Sequence, residues 1–180
     1  MKKPVLTILV TGIISVTVSA MTTAAFSDVP ATSPYYSSVE ALTQAGVVEG
    51  YEDGTFRPDQ PVNRAEAIKL ALAGIGVKVE NGLYNTGFSD VPLDIWYAGF
   101  VMEGSLRGII NGNPDGTFAG ARTVNKAEFL KMTEQAFQVD LSEFQTPSGD
   151  IADDVAAGEW YTPYMAYAKA TGLTYTTLDN

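Results

Sequence analysis

Two basic residues stand where a cation is locally unfavourable. Arg64 and Lys126 occupy the same place in Val62-Asn63-Arg64-Ala65-Glu66 and Val124-Asn125-Lys126-Ala127-Glu128. Asn-x-x-Glu is a capping-box variant: the asparagine accepts from the amide three residues on, and the glutamate bonds back. The pattern opens helices at Asn63 and Asn125, with Glu66 and Glu128 as structural cap partners. It puts each cation at the first helical position, against the positive end of the helix dipole. Free amides at a helix N-terminus bind anions. An added guanidinium or ammonium would make a small anion pocket there; a solvated surface cation is the competing reading.

Other chemistries are poorly supplied. The chain has no histidine, which removes the commonest general base and metal ligand. It has no cysteine, so disulfides, thiolates and lipid attachment to cysteine are excluded. Asp28, Asp90 and Asp150 are carboxylates, and paired carboxylates can cut sugars. They head three similar stretches, however, and a residue recurring in every repeat is usually architectural. No catalytic residue is assigned. Asn111-x-Asn113-x-Asp115-Gly116 imitates the start of a calcium loop, but its twelfth position is Arg122, where a bidentate acid is required. Glu49, Tyr51 and Asp53 match worse. No metal and no cofactor is expected.

These residues recur because a structural unit recurs. Phe26 to Lys69 returns without a gap 62 residues further on. Phe26-Ser27-Asp28-Val29-Pro30 becomes Phe88-Ser89-Asp90-Val91-Pro92, and Asp53-Gly54-Thr55-Phe56 becomes Asp115-Gly116-Thr117-Phe118. Repeats of this period mean one unit used several times, with binding surfaces often formed between units. Each unit reads as helix, turn, helix. The first helix is expected from Pro34 to Ala45, with Ser33 as cap, Pro34 at the first position and Gly46 as left-handed stop. Its counterpart carries Trp96, Tyr97, Phe100 and Val101 and stops at Gly108. The loop between helices is Gly-x-x-x-Gly-x-x-Asp-Gly-Thr-Phe, and its second glycine is Gly50 or Gly112. Asp-Gly favours a tight turn. Short strand-like pieces are expected there, and Phe56 and Phe118 are expected to be buried plugs.

The fold class is thus mainly α, in units at residues 26–76, 88–138 and 149–180. The third is incomplete. Trp160-Tyr161, Tyr164, Gly172 and Asp179 follow Trp96-Tyr97, Phe100, Gly108 and Asp115, but the Gly-Thr-Phe plug and second helix are missing. We read the chain as a fragment of a longer protein.

Residues 1–25 have the three-part pattern of a secretory signal peptide: Lys2-Lys3, an apolar run from Val5 to Val18, then small residues. The run is shorter than the ~20 residues of a membrane span. Cleavage is expected after Ala25 or Ala20, leaving no transmembrane segment. Loss of Lys2 and Lys3 takes the formal charge from -10 to -12. Such a surface repels nucleic acid and anionic lipid.

The ordered motifs Phe-x-Asp-Val, Asp-Gly-Thr-Phe and Asn-Arg/Lys-Ala-Glu resemble the S-layer homology (SLH) domain, over Phe26 to Asn180. Unit one departs from the family in having Pro34 for its tryptophan. Both units have Asn for Thr in the last motif, and unit two has Lys126 for Arg. The resemblance implies tandem SLH repeats packed as a pseudo-threefold helical bundle. It implies a secreted protein at the cell surface or cell wall, in an S-layer, held without a covalent bond. The implied partner is an anionic secondary cell-wall polysaccharide, often pyruvylated, or modified peptidoglycan, with S-layer neighbours. The implied ligand-binding set, in grooves between units, is Arg64, Lys126, Asn63, Asn125, Trp96, Trp160, Gly50 and Gly112. Trp96 and Trp160 would stack on a sugar face or plug the core. The alternatives are a self-assembly module without glycan binding, and the anchor portion of a larger envelope enzyme.

Overall fold

The computed structural model describes residues 26–145, 151, 155–156 and 158–173. The expected leader, Asp150 and Asp179 lie outside the described residues. Among these residues five α-helices follow in order: α1 (Tyr36–Gln44), α2 (Arg64–Gly74), α3 (Ala98–Leu106), α4 (Lys126–Ala136) and α5 (Thr162–Thr171). A short 3-10 turn, Ser142–Phe144, precedes α5.

The first helices of units one and two start later than expected. Pro34 lies in a turn outside α1, and Ser33 Oγ accepts from Tyr35 rather than from a helical amide. Tyr35, Tyr97 and Tyr161 are the cap residues of α1, α3 and α5, and none of the three caps with its side chain. A preceding turn provides the acceptor instead: the first helical amides of Tyr36, Ala98 and Thr162 donate to the carbonyls of Ser33, Ile95 and Glu159. The C-termini follow the glycine rule. Val47 donates to Leu42 O and Gly46 to Thr43 O, and the same pair recurs at Ile109 and Gly108, and at Leu173 and Gly172. This is the Schellman arrangement, with each glycine in the left-handed region.

Within each unit one carboxylate ties the loop to the unit's start. Asp28 Oδ1 and Oδ2 accept from the amides of Phe56 and Arg57, at 2.8 and 2.7 Å. Asp90 does the same for Phe118 and Ala119, both at 2.7 Å. Arg57 and Ala119 sit at φ 61° and 58°, a region costly for non-glycine residues. The clamp holds them there. Asp28 and Asp90 are therefore architectural. Bonding from the Phe56 amide holds the Asp28 carboxyl below its ordinary range. The expected strand-like pieces at these loops are absent. Among the described residues the only bridge is antiparallel, between Asn63 and Thr123.

Helix α2 packs on α3 and on α4, and α4 packs on α5. Among the described residues α1 packs on no other helix. It covers only a satellite cluster of Phe26, Val29 and Val39. The main core joins the first two units through Ile68, Leu72, Val101 and Phe118. A further cluster joins α4 to α5 through Leu130 and Met165.

This layout splits the two plugs. Phe118 is 0 % exposed, roofed by Tyr97, Phe88 and, from the preceding unit, Arg64. Phe56 is only half-buried, which corrects the expectation that both are buried. It packs on Phe26, while Tyr35, the counterpart of Tyr97, is exposed, and among the described residues no counterpart of Arg64 covers it. Phe118→Ala is expected to destabilise by ~3–5 kcal/mol in chemical denaturation, and Phe56→Ala by clearly less.

A second asymmetry concerns α4. Glu134 stands where the repeat places Leu72 in α2, and it is 3 % exposed. Neither carboxylate oxygen has a hydrogen-bond partner. Burial pushes its titration up to about 8. The unfolded chain ionises this group near 4.5, so the folded state binds the extra proton between the two values. Stability therefore falls as pH rises from about 4.5 to about 8. Without histidine, few other groups titrate in that window. Glu134→Leu is expected to raise the melting temperature at pH 7.5 and flatten its dependence between pH 5 and 8. An unchanged slope would show that Glu134 is not its source.

Candidate functional site

Both capping boxes form. Asn63 Oδ1 accepts from Glu66 N at 2.9 Å while Glu66 Oε2 accepts from Asn63 N at 2.9 Å. Asn125 and Glu128 repeat the exchange at 2.9 and 3.1 Å. This places Arg64 and Lys126 at the first positions of α2 and α4. It also occupies the side chains of Asn63 and Asn125 in holding their own helices.

The expectation of free amides at the start of α2 is corrected. Arg64 N donates to Arg122 O at 2.9 Å and Ala65 N to Gly120 O at 3.0 Å, both in the loop of the next unit. Glu66 N is taken by Asn63. The first three amides of α2 thus have protein acceptors. Whatever attraction for anions exists there comes from the Arg64 side chain.

That side chain lies across the unit boundary. Its guanidinium carbon is 5.1 Å from the centre of the Phe118 ring. Its Nε is buried and has no hydrogen-bond partner. Among the described residues its guanidinium forms no ion pair. Burial and then the charge of Arg122 push its titration below the ordinary range, and Glu128 acts in the opposite sense.

Arg64 forms one wall of a cleft of about 170 Å³. Unit two lines it through the Ile109 to Gly112 loop, with Glu128, Lys131 and Met132 of α4. Trp160, just ahead of α5, also lines it. Three units contribute to one cleft. Of the ligand-binding set expected from sequence, Arg64, Gly112 and Trp160 come together here, beside the cap residue Glu128. Trp160 is 50 % exposed, with Lys131 Nζ 5.3 Å from its ring centre. Lys131 escaped notice in the sequence. The signal was there, since Lys69 and Lys131 are 62 residues apart in the repeat.

The other candidates fall elsewhere. Gly50 lines a second, larger cleft of about 580 Å³ with Val48, Glu66 and Lys69. These are the counterparts of Gly112, Ile110, Glu128 and Lys131, so the two clefts are repeats of one design. Trp96 is 56 % exposed, packs edge-on to Tyr97 and Phe100, and lines neither cleft. Lys126 also lines neither. Asp115 accepts from the amide and hydroxyl of Thr117, and Arg122 pairs with Glu128, so neither is arranged as a calcium ligand. Among the described residues no group of three acidic side chains could hold a metal. No described helix is long and apolar enough to cross a membrane.

Comparison with known proteins gives the setting. The model of the S-layer homology domain matches residues 25–68 and 87–130. The surface-layer 125 kDa protein of Lysinibacillus sphaericus is 29 % identical over 140 residues, covering 76 % of this chain and 11 % of that protein. A surface layer protein of Brevibacillus choshinensis is 34 % identical over 107 residues, 58 % of this chain and 10 % of that one. A cellulosome-anchoring protein of Acetivibrio thermocellus is 27 % identical over 135 residues, covering 71 % and 29 %. The chain thus spans less than a third of the length of each.

Gly112 has a structural reason to be glycine besides its place in the cleft. Its φ is +70°, and a Cβ there would lie 2.1 Å from Phe88 Cε1. Gly46 has nearly the same φ, +69°, with nothing within 4 Å. Both alanine variants carry the left-handed strain of about 1 kcal/mol, but only Gly112→Ala must also move a ring. Gly112→Ala is expected to lower the melting temperature more than Gly46→Ala, and equal losses would contradict the ring contact.

Proposed function

The chain carries two tandem S-layer homology domains, at residues 25–68 and 87–130, and from that premise we propose that it anchors a secreted surface protein to the bacterial cell wall. The proposed ligand is an anionic secondary cell-wall polysaccharide, seated in the cleft at Arg64. One observation carries the reading: a half-buried guanidinium, without an ion-pair partner among the described residues, faces a cleft built by three units. A carboxylate on the polymer would supply the missing acceptor through a charge-assisted bond. Trp160 offers an aromatic face for a sugar ring. The cleft has room for an acidic substituent and part of one sugar.

Charge sets the terms of binding. The chain is acidic overall, so long-range encounter with an acidic polymer is opposed, but beyond ~8 Å that repulsion is screened at physiological salt. Affinity then rests on the local site. Names of the relatives agree with a surface location, as surface-layer and cellulosome-anchoring proteins. Two units also repeat one packing step, α2 on α3 and α4 on α5. We infer that the units pack as a pseudo-threefold bundle, in which α1 is the helix without a helical partner among the described residues. The described part of unit three provides a wall of the cleft rather than chemistry of its own, so the proposed role is binding without turnover.

Cosedimentation with purified cell walls, before and after chemical removal of their polysaccharide, tests the reading. Binding should be lost with the polysaccharide. Retained binding would move the partner to peptidoglycan, and binding to neither would favour self-assembly. In titration against the purified polysaccharide, Arg64→Ala should weaken binding roughly 10- to 150-fold, the equivalent of one charge-assisted hydrogen bond. Arg64→Lys should recover part, since it keeps the charge and loses the planar donor geometry. Unchanged affinity in folded Arg64→Ala would remove Arg64 from the site.

A further inference from the structure

We propose that Arg122 is a positioning residue that keeps the cleft open to an anion by holding the Glu128 carboxylate away from Arg64. The assignment rests on the reading of the cleft given above. Glu128 and Arg64 line the same cleft, and an acid beside an uncompensated guanidinium is its natural internal partner. Paired, the two would fill the site with its own counter-charge. The structure shows a different pairing. Arg122 Nη1 and Nη2 donate to Glu128 Oε2 and Oε1 at 2.9 and 2.7 Å. Asn125 N adds a third donor to Oε2 at 3.1 Å. The carboxylate is thus bound on both oxygens while Arg64 Nε stays buried without an acceptor. Such an unpaired donor is costly, so freeing Glu128 would favour its capture by Arg64.

Arg122 is placed for this by its backbone. Its carbonyl accepts from Arg64 N at 2.9 Å, so loop and cation are fixed to each other. The device is also confined to one unit. The counterpart of Arg122 is Gln60, and the equivalent Glu66 bonds only within its own cap. Among the described residues the cleft around Glu66 has no counterpart of Arg64 in its lining, and of the cations that do line it Arg57 is paired with Asp53. The bidentate pairing occurs in the cleft that Arg64 lines.

The test is titration of the full chain against purified wall polysaccharide, with four variants confirmed folded by thermal melting. Arg122→Gln, which copies unit one, should bind about tenfold more weakly, a loss of the size expected for a local charge pair. Glu128→Gln keeps the cap, because glutamine also serves in a capping box. Combined with Arg122→Gln it should restore the affinity of Glu128→Gln alone, since no acid remains to capture Arg64. The Arg64 Nε–H resonance should shift in ligand-free Arg122→Gln and return in the double variant. Parental affinity in Arg122→Gln, or a double variant as weak as Arg122→Gln, would overturn the role of Arg122. Arg64→Ala separates the two levels: if it binds normally the cleft reading itself fails, whereas if it alone is weak only the Arg122 assignment fails.

Discussion

Two backbone hydrogen bonds between units decide where everything else in this molecule stands. Arg64 N and Ala65 N reach the carbonyls of Arg122 and Gly120, and Val124 N reaches Val62 O beside them. Together they join the start of α2 to the loop of the following unit. The joint gives the first amides of α2 their acceptors, which water or a ligand would otherwise have to supply. It also explains how a cation is tolerated at a helix N-terminus. Three acceptor oxygens at that end offset the partial positive charge that Arg64 would meet alone. With the main chain fixed, the side chain has Phe118 beneath it and the Ile109 to Gly112 loop beside it.

A second constraint works within each unit. Asp28 and Asp90 bind consecutive amides 28 and 29 residues ahead, the later one on a left-handed residue. The Asp-Gly turn, the phenylalanine and the glycine under Phe26 or Phe88 follow from that closure. The carboxylates that invited thoughts of hydrolysis are therefore engaged by backbone donors. The unit is a rigid tile, and the interesting chemistry falls at its seams.

What was legible in the sequence has a common range. Capping boxes, glycine stops and Asp-Gly turns involve partners within about six residues, and they formed where the residue types demanded. The exception at short range was the start of α1. Ser33-Pro34 has the composition of a cap, but the turn carbonyl of Ser33 does the capping, and composition does not distinguish the two. The features that stayed hidden join residues far apart in the chain. Nothing local in Asn63-Arg64-Ala65 says that Gly120 and Arg122 will occupy its amides. Phe56 and Phe118 share a motif, yet among the described residues only Phe118 has a side chain of the preceding unit above it. Arg122 and Lys131 lack a motif of their own and gain meaning only once Glu128 and Trp160 are beside them. Repeats hide such differences, because identical tiles have different neighbours.

The division of the Arg64 cleft among three units also bears on how long the protein would last outside the cell. No single unit contains the site, so on the proposed reading a polymer segment seated there is held only while all three are docked. Occupancy then opposes every opening that would separate them, by about 2.7 kcal/mol when the free polymer is a hundredfold above its dissociation constant. Proteases cut chains that open. An attached molecule would thus be shielded from them and a detached one left vulnerable, so that the wall itself would select which copies persist.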